Sequence, residues 1–189
     1  MPHITVDPAL PGITGLLNYR LDTALPIRQL TQILLRGEST LTEGERELIA
    51  AVVSNGNQCR FCTAAHTAAA DLLLGDKETS EKAKHDPGNA PVSEKMKYLL
   101  EVARRVQADA RTVSAGLVAD AKNAGATELE IHDTVLIAAL FCLYNKYVDG
   151  LATVTPTEPA VYERLALILR DHGYMPSPHR YATLNANSD

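Results

Sequence analysis

The stretch that decides the fold is residues 42–66, which read TEGERELIAAVVSNGNQCRFCTAAH. Thr42 followed three residues later by Glu45 is a capping box, which predicts that a helix begins there. The Gly- and Asn-rich run 54–58 predicts the end of that helix. A second helix is predicted from Cys59 onward, and two helices joined by so short a turn run antiparallel.

Two thiols and an imidazole fall on one stripe of the second helix. Cys59, Cys62 and His66 are three and four residues apart, which is the spacing of one helix face. With the turn near Asn57, Glu47 lies ten residues before it and His66 nine residues after it. We therefore expect Glu47 to sit level with His66, with both cysteines closer to the loop. The predicted order of a proton relay is Glu47, His66, Cys62, Cys59.

This arrangement is typical of a dithiol redox site. A helix N-terminus favours ionisation of Cys59, whereas a neighbouring His66 favours ionisation of Cys62, so the residues leave open which thiol attacks first. A carboxylate at Glu47 would orient His66 as a base. Attack on a peroxide O–O bond gives a sulfenic acid, which the second thiol converts to a disulfide. An external reductant then reopens the disulfide by exchange.

Other interpretations of the same residues are open. Cys59 and Cys62 can be a pair of small buried apolar side chains. With His66 they can also bind zinc, although structural zinc takes four ligands and the sequence has no second cysteine pair. A redox dithiol without peroxide turnover would make the protein a disulfide oxidoreductase or a redox sensor. Without redox chemistry it would be a binding or assembly module.

The motif resembles a known family. The pattern Arg46-Glu47-Leu48-Ile49, then Asn57, then Cys59-x-x-Cys62-x-x-x-His66 is similar to the carboxymuconolactone decarboxylase and alkylhydroperoxidase D family, and most similar to its peroxidase-related branch. Residues 10–13, 34–36 and 145–150 extend the resemblance over most of the chain.

The resemblance implies a helical bundle that acts as a hydroperoxide reductase. It implies that Glu47, Cys59, Cys62 and His66 are catalytic, with Cys62 attacking the peroxide and Cys59 resolving the sulfenic acid. It also implies a homo-oligomer with its site near a subunit boundary.

One departure concerns the residues between the cysteines. The best-described peroxidase of the family has a second histidine there, where this chain has Arg60 and Phe61. The resemblance therefore supports the redox dithiol more strongly than efficient peroxide turnover. Decarboxylase members lack the paired cysteines, which argues against lactone chemistry. The expected reductant is a lipoyl group or a thioredoxin-like protein, since no glycine-rich nucleotide motif is present, and we expect neither cofactor nor metal.

Composition fits one modest domain over residues 1–189. The chain is 46% hydrophobic with a net charge of -5, which disfavours nucleic acid and anionic membranes as partners. The longest nearly apolar run, 134–144, is too short to span a bilayer and predicts a buried helix. No secretory leader is recognised at the start, and three cysteines suit a reducing compartment, so a cytoplasmic location is expected.

The rest of the sequence predicts an all-α protein of seven to nine helices. Breaks are predicted at 8–12, Pro26, 86–91, Gly125 and 155–159. A C-terminal arm from about residue 173 is expected to lie on a neighbouring molecule or to be disordered.

A degenerate repeat relates two parts of the chain. Residues 48–51 and 136–139 both read LIAA, and the same offset places Asn57 on Asn145. A second capping box begins at Thr127. The repeat predicts two similar helical hairpins, of which the second keeps the packing and has lost the site residues.

Several polar residues are expected to have no role in the site. We expect Cys142 to be inert core and Asn145 to be a packing or capping residue. His132 and Asp133 are expected at the surface or at an interface, and His85, His172 and His179 are expected to be solvated.

Overall fold

The computed structural model describes residues 1–175, and within that range it contains nine α-helices, two short 3-10 turns and no strand. This confirms the all-α class and the predicted number of helices. The helices are α1 (Ile13–Tyr19), α2 (Leu21–Arg36), α3 (Glu43–Gly56), α4 (Arg60–Leu74), α5 (Glu78–His85), α6 (Glu94–Asp109), α7 (Ala115–Asn123), α8 (Glu128–Gly150) and α9 (Pro159–His172).

The antiparallel hairpin of α3 and α4 is the centre of the fold. These two helices make the most extensive contact of any pair; α3 also packs on α6 and α8, and α4 packs on α9. Because α3 is enclosed by three helices, residues 46–54 are all buried. A carboxylate on this segment is therefore removed from water unless the fold supplies its partners.

Two apolar clusters fill the interior of the described chain. The larger cluster joins α2, α3, α6 and α8. The smaller one lies between α4 and α9 and contains both Cys59 and Cys62. The dithiol motif is thus built into the seam between the second helix of the central hairpin and α9.

Helix α2 corrects one predicted break. It runs from Leu21–Arg36 without interruption at Pro26. Proline removes one backbone hydrogen bond and crowds the preceding turn. Burial of Ala24, Leu34 and Leu35 along the same helix stabilises it against that loss.

The repeat is reproduced at the helix starts and not at the turn. Both α3 and α8 begin with a complete capping box, at Thr42 and Thr127. However, α8 continues through Asn145 to its end at Gly150, whereas α3 ends at Gly56. In the repeat, Tyr144 occupies the position that corresponds to Gly56. Without a glycine at this position α8 does not end there, and the second hairpin turns later, over residues 151–158.

The beginning of the predicted C-terminal arm packs on its own chain. The backbone N–H of Tyr174 donates to Gln32 Oε1 at 2.6 Å, and its carbonyl accepts from Arg28 Nη1 at 3.2 Å. At Tyr174 the chain is therefore held by contacts with α2 of the same molecule, in place of the expected neighbour or disorder. Residues 176–189, including His179, lie outside the described range. No helix within residues 1–175 combines the length and apolarity needed to cross a bilayer.

Candidate active site

Glu47 and His66 face each other across the central hairpin. His66 Nδ1 lies 2.6 Å from Glu47 Oε2, so the two residues are level as the spacing predicts. Glu47 is fully buried and His66 is 8% exposed. An ionised carboxylate accepts hydrogen bonds only, which places the proton of this contact on Nδ1.

The second oxygen of Glu47 has two partners that the sequence analysis did not assign to the site. Arg36 Nη2 and the hydroxyl of Tyr174 both donate to Oε1, each at 2.6 Å. No spacing pattern connects these residues to Glu47, because one lies on α2 and the other follows α9. The rule that a buried carboxylate needs a cation predicts such a partner, but it does not single out Arg36 among the 18 Lys and Arg residues of the chain.

These contacts keep Glu47 ionised. Burial alone raises the pKa of its carboxyl group, but the charge and hydrogen bond of His66, the charge of Arg36 and the Tyr174 hydroxyl outweigh it and lower the pKa to about 2. In turn, burial and the adjacent Glu47 raise the pKa of Tyr174 well above its ordinary value. Tyr174 therefore acts as a neutral donor.

Aromatic rings enclose the imidazole of His66. The edge of His66 meets Phe141 with ring centroids 4.5 Å apart and an interplanar angle of 82°. Tyr174 lies nearly parallel to it, at 6.5 Å and 10°. The ring orientation is thus fixed by packing as well as by Glu47.

The two cysteines lie at the start of α4 with free thiols. Cys59 is the N-cap residue and Cys62 lies in the first turn, and they are 0% and 2% exposed. A hydrogen bond from the Cys62 thiol lowers the pKa of Cys59, with burial acting in the opposite direction. That same hydrogen bond, together with burial, raises the pKa of Cys62 well above its ordinary value. Of the two possibilities left by the sequence, acidity favours Cys59 as the thiolate.

Helix α8 supplies two further neighbours of the sulfur atoms. The Asn145 side chain hydrogen-bonds to Cys62 and acts to lower its pKa. Asp149, four residues later, hydrogen-bonds to Cys59 and raises the pKa of that thiol. Asn145 was predicted to be a packing or capping residue, and the structure adds a direct contact with the dithiol.

A cavity of about 50 Å³ adjoins Cys62 and His66. One water molecule requires about 10–15 Å³ on this scale, so the cavity can hold a small solute. Its walls include Phe61, Tyr144 and Tyr174, and Cys59 is absent from the described residues that line it. A much larger groove on the outside of α4 and α9 borders Arg60 and neither cysteine, whereas the small cavity borders both Cys62 and His66.

Phe61, one of the residues that replace the second histidine, is fixed by packing. Its ring contacts Tyr162 at a centroid distance of 5.9 Å. On another side it faces Gly12, whose φ is +56°, and a Cβ at Gly12 would come within 2.3 Å of the ring. Only glycine allows the N-terminal loop to approach the motif this closely.

The remaining predicted residues lie away from the Glu47 and His66 contact. Cys142, expected to be inert core, is half-buried and packs against the larger apolar cluster, with Asn57 Nδ2 at 3.4 Å from its sulfur. His132 and Asp133 contact each other near the start of α8. Within residues 1–175 no three His, Cys, Asp or Glu side chains form a group suited to a metal ion.

Comparison with known proteins agrees with the predicted family. Residues 25–84 match the carboxymuconolactone decarboxylase family. Curated proteins provide no match.

Two solved structures share the fold. One is an uncharacterized peroxidase-related protein from Silicibacter sp. TM1040, with a TM-score of 0.73, 24% identity, and coverage of 81% of this chain and 78% of that one. The other, from Ralstonia eutropha JMP134, is described as an alkylhydroperoxidase AhpD core and an uncharacterized peroxidase-related protein. Its TM-score is also 0.73, with 22% identity and coverage of 88% and 83% of the two chains.

Proposed function

We propose that the chain, whose residues 25–84 match the carboxymuconolactone decarboxylase family and whose fold is shared by two peroxidase-related structures, reduces small hydroperoxides through a Cys59 and Cys62 dithiol–disulfide cycle. The observation that carries the proposal is the small cavity shared by Cys62 and His66. It would bring a peroxide group to a sulfur and a proton-transfer group at the same time.

In the first step Cys62 attacks the terminal peroxide oxygen. Acidity favours Cys59 as the thiolate, but Cys62 lines the cavity beside His66, which can accept its proton, and Cys59 is absent from the described lining. The S–O bond forms as the O–O bond breaks, giving a sulfenic acid and an alcohol, or water from hydrogen peroxide. His66, held at Nδ1 by Glu47, takes the thiol proton at Nε2 and passes it to the departing oxygen, as histidine does in other nucleophile and base pairs.

In the second step Cys59 resolves the sulfenic acid. Its lowered pKa supplies a thiolate at the start of α4, which attacks the Cys62 sulfur and displaces hydroxide that leaves as water after protonation. The dithiol has then lost two electrons and the peroxide has gained them. An external dithiol, either a lipoyl group or a thioredoxin-like protein, restores the thiols by exchange.

Burial of the sulfur atoms argues against the alternative activity, disulfide exchange with other proteins. Direct exchange with a broad protein surface requires an exposed sulfur, and here the cysteines are at most 2% exposed. Access through a small cavity favours a peroxide as oxidant, and a slender lipoyl arm as reductant. The proposal includes a homo-oligomer, which would cover the exposed apolar side chains of Leu21, Leu25 and Ile33 on α2.

The test is a thiol titration in a Cys142→Ser background, before and after one equivalent of hydrogen peroxide or cumene hydroperoxide. We expect rapid loss of two thiols, at least tenfold slower with Glu47→Gln, and a trapped sulfenic acid in Cys59→Ser. Glu38→Gln, on an exposed residue, is the matched charge control.

Each other result has a definite meaning. Sulfenic acid in Cys62→Ser instead would assign the attack to Cys59. Thiols that ignore peroxide and exchange with a dithiol reagent would establish a disulfide oxidoreductase. Thiols that do neither would reject redox function and leave a binding or assembly module.

A further inference from the structure

Glu47 is held by a residue from the far end of the described chain. Tyr174 lies 127 residues after Glu47 in sequence, yet its hydroxyl donates to Oε1 at 2.6 Å. Arg36 donates to the same oxygen, while His66 occupies Oε2. Both oxygens of the carboxylate are therefore engaged, and their partners come from three different parts of the fold.

The backbone around Tyr174 is anchored independently of its hydroxyl. Its N–H donates to Gln32 Oε1 and its carbonyl accepts from Arg28. Gly173 before it has φ +62°, a left-handed conformation that favours glycine and turns the chain back after α9. Removing the hydroxyl alone should leave this segment in place.

The ring of Tyr174 contacts Arg36 and His66, the two other residues that bind the Glu47 carboxylate. The guanidinium carbon of Arg36 lies 5.1 Å from the ring centroid, within cation–π range. The ring also lies nearly parallel to His66 and lines the cavity beside Cys62. Tyr174 thus packs against both Arg36 and His66, in addition to its hydrogen bond with Glu47.

We propose that Tyr174 is a positioning residue for the Glu47 and His66 pair. With Arg36 it occupies Oε1, so that Oε2 is directed to Nδ1 of His66 and the imidazole is held in one orientation at the cavity. The consequence for peroxide reduction rests on the proposed function, whereas the effect on Glu47 does not. The segment after α9 is then part of the active site.

The test compares Tyr174→Phe with the wild type by carbon-13 NMR of the Glu47 carboxyl group, identified by its absence in Glu47→Gln. Since the Tyr174 hydroxyl donates a hydrogen bond to the ionised form of Glu47, we expect its removal to raise the proton affinity of Glu47 about tenfold. Tyr98→Phe, on α6 outside the site, should leave the titration unchanged. Phenylalanine keeps the ring contacts, so the variant is expected to fold.

Peroxide-driven thiol loss provides the second readout. We expect the rate of thiol loss to be about tenfold lower in Tyr174→Phe than in the wild type near neutral pH. Removing a general acid–base itself would lower the rate more. As the pH is lowered, the rate of the variant should begin to fall at a higher pH than that of the wild type. Overlapping Glu47 titrations for wild type and Tyr174→Phe would overturn the inference. A shifted titration in a protein that consumes no peroxide would support it while rejecting the proposed function.

Discussion

The side-chain amide of Asn57 donates to Oδ1 of Asn145 at 2.8 Å, and so joins two residues that occupy equivalent positions of the internal repeat. The amide of Asn145 donates in turn to Ser54 Oγ at 3.1 Å, and Gln107 donates to Asn57 Oδ1 at 3.0 Å. This network ties the turn before Cys59 to α8 and α6. It fixes the place where the dithiol helix begins.

We predict that Asn145→Ala destabilises the protein by about 1–3 kcal/mol, because Asn57 and Ser54 each lose a buried partner. Urea unfolding followed by circular dichroism measures the change. Asn123→Ala, at an exposed position at the end of α7, should remain within about 0.5 kcal/mol of the wild type. Equal stability of both variants would show that the network does not support the fold.

The acidity of Cys59 should depend on Cys62. Replacing Cys62 with alanine removes the hydrogen bond that lowers the pKa of Cys59, so this pKa should rise and alkylation of Cys59 should require higher pH. Cys62→Ser, which retains a hydroxyl donor, should shift the profile less. The measurement is the pH dependence of iodoacetamide labelling in a Cys142→Ser background, and identical profiles for the two variants would contradict it.

Asp149→Asn should have the opposite effect on Cys59. The carboxylate of Asp149 raises the pKa of Cys59 by its charge and by its hydrogen bond, so neutralising it should lower that pKa. Labelling of Cys59 at pH 7 should accelerate roughly threefold, and less at high salt because the carboxylate is exposed. Asp120→Asn, on the exposed face of α7, is the control; an unchanged rate in Asp149→Asn would refute the assignment.

Removing Arg36 should leave the buried carboxylate of Glu47 without its permanently charged partner. We expect Arg36→Gln to cost about 3–5 kcal/mol of unfolding free energy. The double variant Arg36→Gln with Glu47→Gln should recover part of that loss, since no carboxylate then needs a partner. Chemical unfolding of the four proteins gives the coupling, and strictly additive losses would show that the ion pair has no energetic importance.

The pH dependence of stability should report the same carboxylate. Because the pKa of Glu47 is lowered from 4.5 to about 2, its contribution is fully present above about pH 4.5 and is lost as the pH falls toward 2. Glu47→Gln should flatten this part of the profile. Unfolding midpoints measured between pH 2 and 6 test this, and parallel profiles would contradict the lowered pKa.

Local patterns in the sequence predicted the central hairpin because capping and helix periodicity act over a few residues. Thr42, the turn near Asn57 and the register of Glu47 with His66 follow from such rules. Tyr174 could not be placed in this way. Its position depends on how α9 packs on α4 and on how the chain after α9 returns to α2. Pro26 was misplaced because tertiary burial overrides a local helix breaker.

The close approach of Gly12 to Phe61 links the dithiol motif to the N-terminal loop. A histidine grafted at position 61 would give up contacts with both Gly12 and Tyr162, and would bring a polar ring into an apolar seam. Accommodating a histidine at this position would therefore call for compensating changes at both contact sites, which lie about 50 and 100 residues away along the chain.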